Sequence, residues 1–222
     1  WTGDINRGGR LGPFRSYRGL EMSPDVQPII ARLPEAGLTL KSRGERATKA
    51  MGETLGKLLR LGDLLLLEGP LGAGKTRLVQ GVALGLGIRQ TILSPTFTLV
   101  RPYRIEVEGK RADFYHIDLY RIATGDEAVN FGLEEYFGPE SICAVEWADR
   151  TPSVWPLEHL RIRLELTGSR TREVAFHGTG ERYVGLVQAL GMELWQAPGL
   201  VPIRLGNRRS RDFVSSPVRS RA

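Results

Sequence analysis

Within the stretch from residue 38 to residue 86 the spacing of apolar side chains changes three times. Leu38-Thr-Leu-Lys-Ser42 alternates and predicts a short strand. Residues 45–61 set Ala47, Met51, Leu55, Leu58 and Leu59 on one side of a helix, which Gly62 would end. Asp63-Leu-Leu-Leu-Leu-Glu68 is an apolar run of strand length. From Thr76 to Leu86 the helical spacing returns at Leu78, Val79, Val82, Ala83 and Leu86, and Gly85 and Gly87 close the segment.

Further on, Phe97 to Ile105 reads as a strand, Glu108-Gly109 as a turn, and Asp113 to Ile122 as the antiparallel partner of a β-hairpin. The two-residue period puts His116, Asp118 and Tyr120 on one face of that second strand. Asp126 to Phe137 predicts a helical stretch interrupted at Gly132, and Ile142-Cys-Ala-Val145 a buried strand that ends in Glu146. Leu160–Leu166 and Arg172–Phe176 pair as strands, and residues 180–194 carry Tyr183, Leu186, Val187, Leu190 and Leu194 at helical spacing. The order of elements predicts an α/β fold with a mostly parallel central sheet, an antiparallel hairpin addition and helices on both faces. One P-loop domain over 38–196 is expected, with basic extensions over 1–37 and 197–222 that carry no regular pattern and are expected to be disordered.

Charge sharpens the division. The chain of 222 residues has a net charge of +6, yet residues 1–20 hold four Arg and one Asp, and residues 197–222 six Arg and one Asp. The ends supply +8 and the middle about −2, so basicity belongs to the termini. Solvated termini are the favoured reading over a hold on a polyanion. Met22-Ser-Pro is a candidate translation start, and residues 1–21 lack the apolar core of a secretory signal, which leaves a transit peptide open. No apolar run is long enough to span a bilayer, and the single Cys143 is compatible with a reducing cytosol, so a cytoplasmic protein without membrane attachment is expected.

The chemistry lies between the second predicted strand and the second helix. Gly69-Pro-Leu-Gly-Ala-Gly-Lys-Thr76 fits G-x-x-x-x-G-K-[ST], the phosphate-binding P-loop, with a strand before it and a helix after. Glycines allow a concave nest of N–H groups, and the helix start adds unpaired N–H groups and a positive dipole end. Gly69, Leu71, Gly72, Ala73, Gly74, Lys75 and Thr76 are therefore the candidate nucleotide-binding residues, with Lys75 reaching the β- and γ-phosphates and the Thr76 hydroxyl ligating Mg²⁺. An apolar strand capped by Glu146 is similar to a Walker B element, the second candidate Mg²⁺ ligand. Its plainer alternative is a solvated carboxylate at a strand end.

Four segments in this order, Gly69–Thr76, Ser94-Pro-Thr-Phe-Thr-Leu-Val100, Tyr115-His-Ile-Asp-Leu-Tyr-Arg121 and Val145-Glu-Trp147, resemble the TsaE (YjeE) family over roughly residues 45–176. The resemblance implies a small ATPase using ATP and Mg²⁺ in making N6-threonylcarbamoyladenosine in tRNA. Its implied partners are the TsaB and TsaD subunits, with tRNA met only through that complex. It further implies Asp118 as the catalytic carboxylate beside Lys75, and Thr48 and Arg172 as nucleotide contacts outside the loop. Ser94, Thr96 and Thr98 resemble a switch near the γ-phosphate. The family's usual acidic residue after the first glycine of the loop is Pro70 here.

Each assignment has a structural competitor. Asp118 would otherwise pair with Arg121 or Arg101, the hydroxyls would serve an ordinary turn, and Trp147 would be core. His116 reads as a structural strand residue. A P-loop kinase would usually need an arginine-rich lid, and no arginine cluster occurs in the central region. A GTPase is disfavoured by the lack of Asn-Lys-x-Asp. A nucleotide-gated binding module without turnover stays open.

Overall fold

The computed structural model describes residues 34–122, 124–195 and 201–206. An eight-stranded sheet carries β1 (Glu35–Ser42), β2 (Leu64–Glu68), β3 (Val100–Val107), β4 (Lys110–Asp118), β5 (Ser141–Glu146), β6 (His159–Leu166), β7 (Arg172–Thr179) and β8 (Val201–Gly206). Its helices are α1 (Glu45–Leu58), α2 (Lys75–Gly85), α3 (Gly125–Asn130) and α4 (Glu181–Trp195). The strand order is β3-β4-β5-β2-β6-β7-β1-β8. The four strands β4, β5, β2 and β6 run parallel, and antiparallel strands flank them on both sides. The sheet is thus parallel in the middle, as expected, with the hairpin β3–β4 supplying one parallel strand as well as the edge.

Why these segments take these shapes follows from what covers them. β2 is buried on both faces because parallel neighbours flank it and layers lie above and below. Leu65 and Leu67 face one core, shared with Met51, Leu55, Leu78, Val82, Leu186 and Leu190 from the three long helices. Leu64 and Leu66 face a second core with Ile117, Leu119, Ala128, Leu133 and Val145. Helices do cover both faces, but unequally: the second core has only the short α3 and 3-10 turns over it.

The hairpin turn is tight because both of its central residues, Glu108 and Gly109, adopt positive φ of 52° and 77°. α1 stops at Leu58, three residues before the expected end, since Leu59 turns extended (ψ 152°) to bury its side chain. β1 begins at Glu35, earlier than its alternation suggested, because Ala36 is buried with Leu38 and Leu40 in register with β7. β4 ends at Asp118, so Tyr120 is not a strand residue on the face of His116 and Asp118; it sits in the following turn, 41% exposed. Residues 201–206, in a segment without a sequence pattern, pair with β1 as β8. The readings made for residues 1–33, 196–200 and 207–222 lie outside the described residues.

α1 and α2 approach closely along a seam of four glycines. A Cβ at Gly52, Gly56, Gly81 or Gly85 would stand 2.0–2.3 Å from a carbonyl oxygen of the facing helix. The seam sets the distance between the two helices, and α2 begins at the P-loop.

Candidate functional site

The site forms where β2, β4 and β5 end together. At the C-terminal tip of β2 the chain enters Gly69–Thr76. Gly69 has φ 131°, and a Cβ there would meet the Leu164 carbonyl at 2.2 Å, so this first glycine is required by its neighbour β6. Gly74, at φ 102°, is the residue from which α2 starts. Ala73 is buried and its N–H donates to the Pro70 carbonyl at 3.2 Å, while Leu71 projects outward, 74% exposed. Gly72 takes φ 78°, with open space around its Cβ position.

Lys75 turns back over this loop. Its Nζ donates to the carbonyls of Gly69 (2.6 Å) and Pro70 (3.1 Å) and lies 3.5 Å from the centre of the Trp147 ring. Burial pushes the ammonium below its usual range, opposed by the carboxylates of Glu146, Asp149 and Asp118. Trp147, at φ 62°, packs against the second core, as its core reading has it, and also presents its ring to the lysine.

The two carboxylates come from neighbouring parallel strands. Asp118 is in register with Glu146, and alternation turns His116 and Asp118 to the same side as Phe114, the side on which α2 packs. Glu146 Oε2 accepts from Thr76 Oγ1 at 2.9 Å across 70 residues of sequence, and His116 Nε2 lies 2.8 Å from Glu146 Oε1. Asp118 Oδ2 accepts from Ser94 and Thr96 (2.7 Å), and its Oδ1 from the Tyr120 N–H at 2.9 Å. Asp118 makes no ion pair with Arg121 or Arg101; Arg121 stacks on the exposed Phe97 at 4.2 Å. Thr98 is exposed and does not reach the carboxylate with Ser94 and Thr96.

Thr48 and Arg172 are joined to each other under the loop. Arg172 Nη1 donates to Thr48 Oγ1 at 3.2 Å, and Thr48 also bonds Ser42 Oγ at 2.8 Å. Both are buried, and the Arg172 Nε, 3.4 Å from the Cβ position of Gly74, has no partner. A buried, unpaired guanidinium N–H beside the loop suits an anion. The donor set of Thr76 and Glu146 is a hydroxyl and a carboxylate, all oxygen, which fits Mg²⁺. Among the described residues no group of three or more His, Cys, Asp or Glu could hold a metal.

Sequence reasoning missed the part played by His116. The signal was present in His116-Ile-Asp118: a two-residue spacing on a strand must send both side chains to one face. What it lacked was the identity of the neighbouring strand.

Strand, glycine loop and helix, with carboxylates on the tips of adjacent parallel strands, define the class as an α/β protein of the P-loop NTPase-like fold. The family model described as "Threonylcarbamoyl adenosine biosynthesis protein TsaE" matches residues 42–174. The chain belongs to the TsaE family. It is 41% identical over 143 residues to the tRNA threonylcarbamoyladenosine biosynthesis protein TsaE of Bacillus subtilis, covering 64% of this chain and 87% of that one. The TsaE of Treponema pallidum is 38% identical over 60% of this chain and 95% of its own length. The crystal structure of Bacillus subtilis YdiB aligns with TM-score 0.59 at 34% identity, over 71% of this chain and 95% of the other. No helix among the described residues is long and apolar enough to cross a membrane.

Proposed function

We propose that the chain is an Mg²⁺-dependent ATPase that acts with TsaB and TsaD in the threonylcarbamoyladenosine modification of tRNA. The observation that carries the reading is the bond from Thr76 on the loop helix to Glu146 on β5, with Asp118 one strand further in the same register. The adjacent pair Lys75-Thr76, Asp118 and Glu146 come from three distant parts of the sequence and converge at one end of the sheet. Phosphoryl transfer asks for little else, since positioning and charge neutralisation supply most of the catalysis.

In this reading the loop amides and the start of α2 cradle the phosphates. Lys75 leaves the Gly69 and Pro70 carbonyls for the β- and γ-phosphates, exchanging two backbone contacts for charged ones. Thr76 Oγ1 and Glu146 Oε2, bonded to each other at 2.9 Å, would be the residues that hold Mg²⁺, which would supply positive charge to offset the negative charge of the phosphate oxygens. Asp118 Oδ1 has a single donor, Tyr120 N–H, and keeps a lone pair to orient the attacking water. Ser94 and Thr96 fix the other oxygen and hold the carboxylate in place. Arg172 offers its unpaired Nε to an anion beside Gly74.

The test is product analysis with a pull-down. Purified chain with ATP and Mg²⁺ should release inorganic phosphate to water, and TsaB and TsaD should be retained in a nucleotide-dependent way. Phosphate found on an acceptor would make it a kinase. Nucleotide binding without any release, even with TsaB and TsaD added, would leave a binding switch.

A further inference from the structure

Glu146 is gripped at both oxygens by side chains from different elements. Thr76 takes Oε2 at 2.9 Å, and His116 Nε2 lies 2.8 Å from Oε1. His116 stands on β4 opposite Ala144, is fully buried, and its Nδ1 has no partner. A carboxylate only accepts, so Nε2 carries the hydrogen and donates it. Packing alone gives no reason for a histidine in this place, since an apolar side chain would avoid burying the unpartnered Nδ1. The bond to Glu146 does give one.

We infer that His116 is a positioning residue that keeps Glu146 a one-oxygen ligand and so favours Mg²⁺ over Ca²⁺. The inference rests on the cation site of the proposed function. Mg²⁺ demands near-ideal octahedral geometry and takes single oxygens, whereas Ca²⁺ accepts both oxygens of one carboxylate in a larger, looser shell. With Oε1 bound to His116, Glu146 presents Oε2 toward Thr76; turning both oxygens to a cation would break the 2.8 Å contact. Partners that orient a metal ligand in this way typically contribute 10- to 100-fold in metal affinity.

The experiment reads Mn²⁺ binding by electron paramagnetic resonance with a non-hydrolysable ATP analogue, and displacement of Mn²⁺ by Mg²⁺ and by Ca²⁺. His116→Phe removes the donor and keeps a planar ring, one atom larger than the imidazole; His116→Gln puts an amide nitrogen near the place of Nε2. The expected result is Mn²⁺ affinity about 10- to 100-fold weaker in His116→Phe with a narrower Mg²⁺-over-Ca²⁺ preference. Nucleotide affinity without a divalent ion should be unchanged, and His116→Gln should recover most of the loss. Wild-type Mn²⁺ affinity in His116→Phe, or equal losses in both variants, would overturn the inference and leave the cation site standing. Absence of Mn²⁺ binding in the wild-type protein would remove the cation site itself, and the inference with it. Thermal unfolding checks that each variant is folded, and His116→Asn, whose amide stops short of Glu146, replaces His116→Phe should that variant fail to fold.

Discussion

Replacing Gly81 by alanine separates helix propensity from helix packing. On propensity alone the change should stabilise α2 by about 1 kcal/mol, because alanine is the best helix former and glycine among the worst. The structure predicts the opposite sign. A Cβ at Gly81 would lie 2.0 Å from the Lys49 carbonyl oxygen, and real Cβ contacts stay beyond 3.0 Å. The atom in the way is backbone, so α1 and α2 must part by about 1 Å. A gap of that size forfeits a quarter to a half of each dispersion contact along the seam, where Met51, Leu55, Leu78 and Val82 pack. Overpacking of this kind typically costs about 1–3 kcal/mol, and a backbone clash belongs at the upper end. After the propensity gain the net loss is about 2 kcal/mol, a fall in Tm of roughly 4–8 °C for a domain of this size. Gly185→Ala in α4 is the matched control, since nothing lies within 4 Å of its Cβ position; it should stabilise by about 0.5–1 kcal/mol. Urea denaturation of both variants decides the matter. A Gly81→Ala protein as stable as wild type would refute the argument that backbone contact sets the helix spacing.

Three further outcomes follow from the site and the sheet. Asp118→Ala should lower ATP turnover about 10²- to 10⁴-fold while nucleotide affinity holds, as single-turnover kinetics and equilibrium binding would show; a parallel loss of both would contradict the role in orienting water. Lys75→Ala should weaken ATP binding about 100-fold by calorimetry, two charge-assisted contacts being worth roughly 3 kcal/mol, and an unchanged affinity would place the nucleotide elsewhere. Burial pushes the His159 imidazole down from 6.5 to about 4, against the Pro156 carbonyl that accepts from its Nδ1–H and favours the charged form. The unfolded chain therefore binds the extra proton between those values, so stability present above pH 6.5 is lost as pH falls toward 4, by up to roughly 3 kcal/mol. Denaturation at pH 7 and pH 4 should show His159→Asn losing less than wild type over that interval, and equal losses would be the contrary result.

The phosphate loop was legible because its chemistry is local. Glycines, Lys75 and Thr76 act through backbone within eight consecutive residues, and the apolar runs on either side announce a strand and a helix. The hairpin was legible for the same reason, its turn being settled by Glu108 and Gly109. The seam of Gly52, Gly56, Gly81 and Gly85 was also written in the chain as two pairs of glycines four apart. Its meaning depended on the two helices lying face to face, which spacing within either one does not state.

What the sequence by itself determined, then, is each element's inward face and the anion-binding turn, since both rest on side-chain period and backbone freedom over a few residues. Only the tertiary structure decided which strand lies beside which. That order sets Asp118 against Glu146, gives Glu146 to Thr76 and His116, and lays Trp147 on Lys75. Pairings across tens of residues depend on how the two cores are shared among all the strands and helices, and no single segment carries that information.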